Sequence, residues 1–229
     1  MRRCSLGIAT VVAAIIVVGA GLMVAVVGAV GGIDGWAAHR AVDDATRSLA
    51  AGDAQAAARA LLPVVAQRPG DPLAHYYLGL AYIRSGLPSA AIGQLSEAER
   101  LQPEDARVRG ALGQAYRAVG TPGPALREFL EAVALDPRDP SYRAQAGNVL
   151  LDGGRVEEAM TQLREAVRLR PAAADVRVLL GLALCRAGDA AGMQREYQTA
   201  ERIAAGEPLG ELAHGLSEAR GPLCAAVHH

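Results

Sequence analysis

The chain has 229 residues, 51% of them hydrophobic, yet it holds only six Tyr, one Trp and one Phe, and its formal net charge is −1. That apolar content excludes a disordered chain, three cysteines are too few to staple a small secreted scaffold, and the balanced charge excludes a basic nucleic-acid binder. An excess of Ala, Leu, Val and Arg over aromatics points instead to helices packed through small side chains.

Charge divides the chain in two. Arg2 and Arg3 come first, and no further side-chain charge follows until Asp34; all 24 carboxylates lie from there onward. Between them, Leu6 to Ile33 is a run of 28 uncharged residues. As a helix it would extend roughly 42 Å, against about 30 Å of bilayer hydrocarbon. The run predicts a transmembrane helix over 6–33, contacting the lipid bilayer as a retained signal anchor after a short tail (1–5). A cleaved secretory signal is the rival, because Ala29-Val30-Gly31 resembles a small-residue cleavage site, although the apolar stretch of such signals is only about 7–15 residues. Arg2 and Arg3 before the span place the remainder on the far side of the membrane, and Trp36 suits an interfacial anchor. The expected localisation is single-pass in an inner membrane with the C-terminal part periplasmic.

After a linker (34–37), the sequence repeats itself. Pro69, Pro103, Pro137 and Pro171 stand 34 residues apart, and so do Gly52, Gly86, Gly120, Gly154 and Gly188. A column of small residues runs through Ala45, Gly79, Gly113, Gly147 and Gly181, and a second through Ala57, Ala91, Ala125 and Ala159 before Met193 breaks it. Gly after each first helix is expected to take the left-handed conformation that ends a helix. Asp71-Pro72 and Asp139-Pro140 read as an N-cap followed by Pro at the first helical position. Leu209, Leu212, Ala213 and Leu216 form one more helical stripe, over 206–221, expected to cap the last repeat before a tail at 222–229.

The best copies read Leu78-Gly79, Tyr82, Ala91, Leu95, Ala98, Pro103, and then Leu112-Gly113, Tyr116, Ala125, Phe129, Ala132, Pro137. This pattern resembles the tetratricopeptide repeat family, whose 34-residue units are helix–turn–helix pairs. Asp44 and Ser48 in the first copy, and Met193 and Ala205 in the fifth, depart from it. The resemblance implies an all-α fold, here an N-terminal transmembrane helix followed by a right-handed superhelical solenoid of five repeats (38–71, 72–105, 106–139, 140–173, 174–205) with a C-terminal capping helix. It also implies that the first helix of each unit lines a concave groove. Mapped onto this chain, that face comprises Tyr76, Leu80 and Ile83; Arg107, Gln114 and Arg117; Ser141, Asn148 and Leu151; and Val178, Leu182 and Cys185. Such a groove, apolar at its ends with Arg and amide groups at its centre, suits a protein segment carrying carboxylates and apolar side chains. Asn148 and Arg117 match parts of the carboxylate clamp of chaperone-binding members, but its Lys positions are absent.

No catalytic pattern emerges. His39, His75, His214, His228 and His229 are scattered without the spacing of a helical metal site, and the glycines belong to repeat columns rather than to a phosphate-binding loop. His75 occupies a large-residue position, where a packed histidine outweighs a ligand. Cys185 and Cys224 would be near one another if the capping helix folds back; the alternative is a buried, idle thiol. The chain is expected to be no enzyme and to need no cofactor or metal. The function expected is a membrane-anchored scaffold that binds protein partners in the assembly or maturation of a membrane or periplasmic complex. The alternative is a permanent accessory subunit of an integral-membrane complex held by its span.

Overall fold

A computed structural model describes residues 35–218, with side chains to 216. The described residues form eleven α-helices in sequence: α1 (Gly35–Ala50), α2 (Ala54–Gln67), α3 (Pro72–Arg84), α4 (Pro88–Leu101), α5 (Ala106–Val119), α6 (Pro122–Leu135), α7 (Pro140–Asp152), α8 (Val156–Leu169), α9 (Ala174–Arg186), α10 (Ala190–Ile203) and α11 (Pro208–Glu218). Odd-numbered helices through α9 are the first helices of the units and even-numbered ones through α10 the second.

The chain's turn chemistry sets these boundaries. Gly52, Gly86, Gly120, Gly154 and Gly188 all have φ between 72° and 83°. At each of these glycines the first helix closes with the same pair of bonds; after α5, Gly120 N–H donates to Arg117 O at 3.0 Å and Thr121 N–H to Tyr116 O at 2.9 Å. That pairing satisfies carbonyls the helix leaves open and needs the left-handed residue that glycine supplies without strain. First helices α3, α5 and α7 begin at Asp71, Asp105 and Asp139, whose side chains each accept a backbone N–H of the first turn.

Small residues let the two helices of a unit meet. A β-carbon on Gly79 would stand 2.5 Å from Leu95 Cγ, on Gly113 2.7 Å from the Phe129 ring, and on Gly147 2.7 Å from Leu163 Cγ, while on Gly181 it would overlap the Tyr197 ring. In each case a large side chain of the second helix lies against bare backbone of the first. Ala57, Ala91, Ala125 and Ala159 on the second helices are wholly buried. The first unit uses Ala45 against Leu61, both fully buried.

A second set of contacts crosses between the helices 19 residues apart. His75 Nδ1 lies 2.9 Å from the Gln94 side-chain amide, Arg109 donates to Glu128 at 2.9 Å, Arg143 to Gln162 at 3.2 Å, and Arg177 to Glu196 at 2.6 Å. These four pairs recur at the repeat period. His75 and Arg177 also reach the carbonyls of Pro69 and Pro171 in the preceding loops, at 3.0 and 2.9 Å. The histidine therefore sits in the core, 5% exposed and bonded at both ring nitrogens.

Successive first helices pack on one another (α1 on α3, α3 on α5, α7 on α9), whereas no two successive second helices pack to that extent. The stack is thus tighter on the first-helix side. Arg84 and Arg186 tie neighbouring units there by donating to the carbonyls of Leu49 and Leu151 at 2.6 and 2.5 Å. Arg109 ties units on the other side, pairing with Glu99 of α4 as well as with Glu128. At the far end, α11 buries Ala213 and packs Leu209 among Ala174, Val178, Ala200 and Ala204.

One expectation needs correction. The fold expected was a transmembrane helix joined to a solenoid, in a single-pass inner-membrane protein. Among the described residues no helix is long and apolar enough to cross a membrane. The longest, α1, has 16 residues and would extend roughly 24 Å, short of the hydrocarbon thickness, and it carries five charged or titratable side chains from His39 to Arg47. The predicted span at 6–33 lies outside the described residues. The architecture of the described residues is therefore the helical-repeat solenoid alone, and none of its helices supports the single-pass membrane placement that was expected.

Candidate protein-binding groove

The residues assigned to the groove from sequence all lie on first helices: Tyr76, Leu80 and Ile83 on α3, Arg107, Gln114 and Arg117 on α5, Ser141, Asn148 and Leu151 on α7, Val178 and Leu182 on α9. Arg107, Gln114, Arg117 and Ser141 are exposed, and Tyr76, Leu80, Ile83, Asn148, Val178 and Leu182 are half-buried. Two do not reach the groove. Leu151 is 1% and Cys185 5% exposed, both in the cluster where α9 covers the end of α7. Cys224 lies outside the described residues, and with it the Cys185–Cys224 pairing.

The electrostatics at the centre differ from the sequence reading. Arg107 is not an open cation: its Nε and Nη2 donate to the two carboxylate oxygens of Asp105 at 3.0 and 2.6 Å. The same carboxylate accepts the backbone N–H of Arg107 at 2.9 Å, so one aspartate caps the helix and neutralises the arginine. The side-chain bond from Arg107 holds the Asp105 carboxyl below the usual carboxylate range. The guanidinium also lies 5.5 Å from the centre of the Tyr76 ring, which in turn meets Tyr77 edge-on at 5.0 Å. Arg117, nearly three turns further along α5, is exposed and makes no such pair among the described residues.

Tyr142, half-buried on α7, is a further candidate for this face that the sequence reading missed. Its ring lies against the bare backbone of Gly110, where any β-carbon would overlap it. Burial, then the nearby charges of Asp139 and the other groups around it, push its phenol up to about 12. The signal was present in the sequence: Gly110 stands one period after Tyr76, so the unit that loses an aromatic residue is followed by one that supplies it. The 19-residue polar pairs were missed as well, and they bear on the groove by fixing how each first helix is rotated.

Among the described residues no three His, Cys, Asp or Glu side chains come together in a way that could hold a metal ion.

Comparison with known proteins agrees with this architecture. Two repeat models match, described as tetratricopeptide repeat over residues 48–115 and as TPR repeat over residues 147–188. No curated protein sequence matches significantly. Among solved structures, MamA from Desulfovibrio magneticus RS-1 is similar with a TM-score of 0.67 at 19% identity, over 75% of this chain and 97% of its own. TTC0263, a thermophilic TPR protein of Thermus thermophilus, gives 0.66 at 20% identity, over 78% and 97%. YrrB, described as a TPR protein with an unusual peptide-binding site, gives 0.63 at 20% identity, over 78% and 92%. At such identities the likeness concerns the fold. With the 34-residue columns, the matched models and the helix-pair stack in agreement, the chain carries tetratricopeptide repeats.

Proposed function

We propose that this chain is a non-catalytic scaffold that holds an extended segment of a protein partner along its concave groove, in the assembly or maturation of a multi-protein complex. The observation that carries this reading is the row of first-helix side chains left open to solvent. Half-buried Tyr76, Leu80, Ile83, Val178 and Leu182 offer apolar surface at the two ends, and Gln114, Arg117, Ser141 and Asn148 offer hydrogen-bonding groups between them. A row of that kind suits a segment whose side chains alternate between desolvated and polar contacts. The peptide-binding site described for YrrB on the same fold supports it.

The carboxylate-binding capacity of the groove rests on Arg117, since Arg107 is neutralised from within. Selection of roughly twelve-residue displayed peptides by the purified full chain tests this. Binders are expected, with affinity falling about tenfold in Arg117→Glu at unchanged helical content. An absence of binders, or binders indifferent to both Arg117→Glu and Gln114→Ala, would take the interaction off this face.

A further inference from the structure

Two adjacent units can be compared position by position at the groove floor. In the third unit, Asp105 precedes α5, Arg107 is the second residue of that helix, and Tyr76 comes from the unit before. The arginine joins the other two, fastened to both carboxylate oxygens and lying over the ring. One period later Asp139 takes the place of Asp105. It precedes α7 and accepts the backbone N–H of Ser141 at 2.8 Å, as Asp105 accepts that of Arg107. The aromatic ring is present too, although it arrives differently. Gly110 stands where Tyr76 stood, and the ring of Tyr142 covers it.

The arginine is what the fourth unit lacks. Ser141 occupies the position of Arg107 and has no charge to give. Asp139 forms no ion pair among the described residues, and the Arg138 guanidinium pairs with neither Asp139 nor Asp136, whose carboxylate accepts the Arg138 backbone N–H at 3.1 Å. Other units do not share the arrangement: the second has Asp71 followed by Leu73, with Val42 in the aromatic place, and the fifth has Ala173 where the aspartate would be. Asp139, Asp136 and Asp105 all act on the Tyr142 phenol in the same direction as its burial.

We propose that an arginine of the bound segment places its guanidinium between the Asp139 carboxylate and the Tyr142 ring, making from outside the contacts that Arg107 makes from within one repeat earlier. Arginine fits better than lysine, because its planar fork matches two carboxylate oxygens while its face lies on an aromatic ring. The inference rests on the groove reading above and adds to it the chemistry of one side chain of the partner.

The peptides selected by the full chain test both, separably. Arginine is expected at one fixed register, and replacing it by lysine or alanine should weaken binding about tenfold. Asp139→Asn should cost the arginine-bearing peptides a similar factor; asparagine caps a helix as well as aspartate, so α7 keeps its start. Ser141→Arg installs the chain's own guanidinium in the site and should compete to the same extent. Peptides selected without an arginine requirement, or arginine-dependent affinity indifferent to Asp139→Asn and Ser141→Arg, would overturn this inference and leave the groove reading standing. No selected peptide at all would overturn the groove reading, and this inference with it.

Discussion

A methyl group on Gly113 would meet three atoms of the Phe129 ring at 2.7 to 2.9 Å, and that ring is fully buried. The ring has nowhere to retreat without parting α5 from α6. Gly113→Ala should therefore lower stability by about 1–3 kcal/mol, as overpacking does in a closed core, despite its better helix propensity. A chemical denaturation curve checks this: the midpoint should fall with the slope unchanged. At the same scale, the groove shows why residue type alone misleads. Arg107 reads in the sequence as a cation offered to a partner. Asp105 lies only two residues away, and within a helix such a spacing would point the two side chains apart. Asp105 stands outside the helix as its cap, which allows its carboxylate to turn back onto the arginine. A capping geometry thus removed a charge from the groove.

Between elements, Arg109 and Glu128 illustrate how a polar pair is held in an otherwise apolar contact. The Glu128 side chain is 6% exposed and that of Arg109 21%, with Glu99 and Arg127 adjoining. Glu128→Ala should cost about 1–3 kcal/mol, because it withdraws an anion from a cation that is mostly buried. Arg109→Ala and Glu128→Ala together should cost less than the sum of the two, with a coupling of about 0.5–3 kcal/mol in a double-mutant cycle. The first unit already shows the double replacement, since Ala41 and Ala60 occupy these two positions. This contact also marks the limit of what sequence conveys. Glycine and alanine columns are legible because close backbone approach tolerates nothing else, and Gly79, Gly113, Gly147 and Gly181 each meet a large side chain as that argument requires. Long polar residues at the same period resemble a solvated face, and the change from His75 to Arg109 obscures the column further. Tyr142 escaped for a related reason: it compensates for Gly110 from a different helix, so neither residue is conspicuous in its own column.

Across the whole stack, each helix packs chiefly on its sequence neighbours, and stability should accordingly be distributed unit by unit. Ending the chain at Glu207 removes α11 and uncovers Ala200, Ala204 and Val178. Amide hydrogen exchange should then quicken in α9 and α10 and stay unchanged in α3 to α6. Equal acceleration throughout would show that the units melt as one body.

The 19-residue pairs have a further consequence for how such a chain can change over generations. Both members of each pair lie inside one 34-residue unit: His75 with Gln94, Arg109 with Glu128, Arg143 with Gln162, Arg177 with Glu196. A duplicated or excised unit therefore carries its own counter-group with it and strands no buried charge in its neighbours. Length can be edited by whole units, with only boundary links such as Arg109 to Glu99 to be renegotiated.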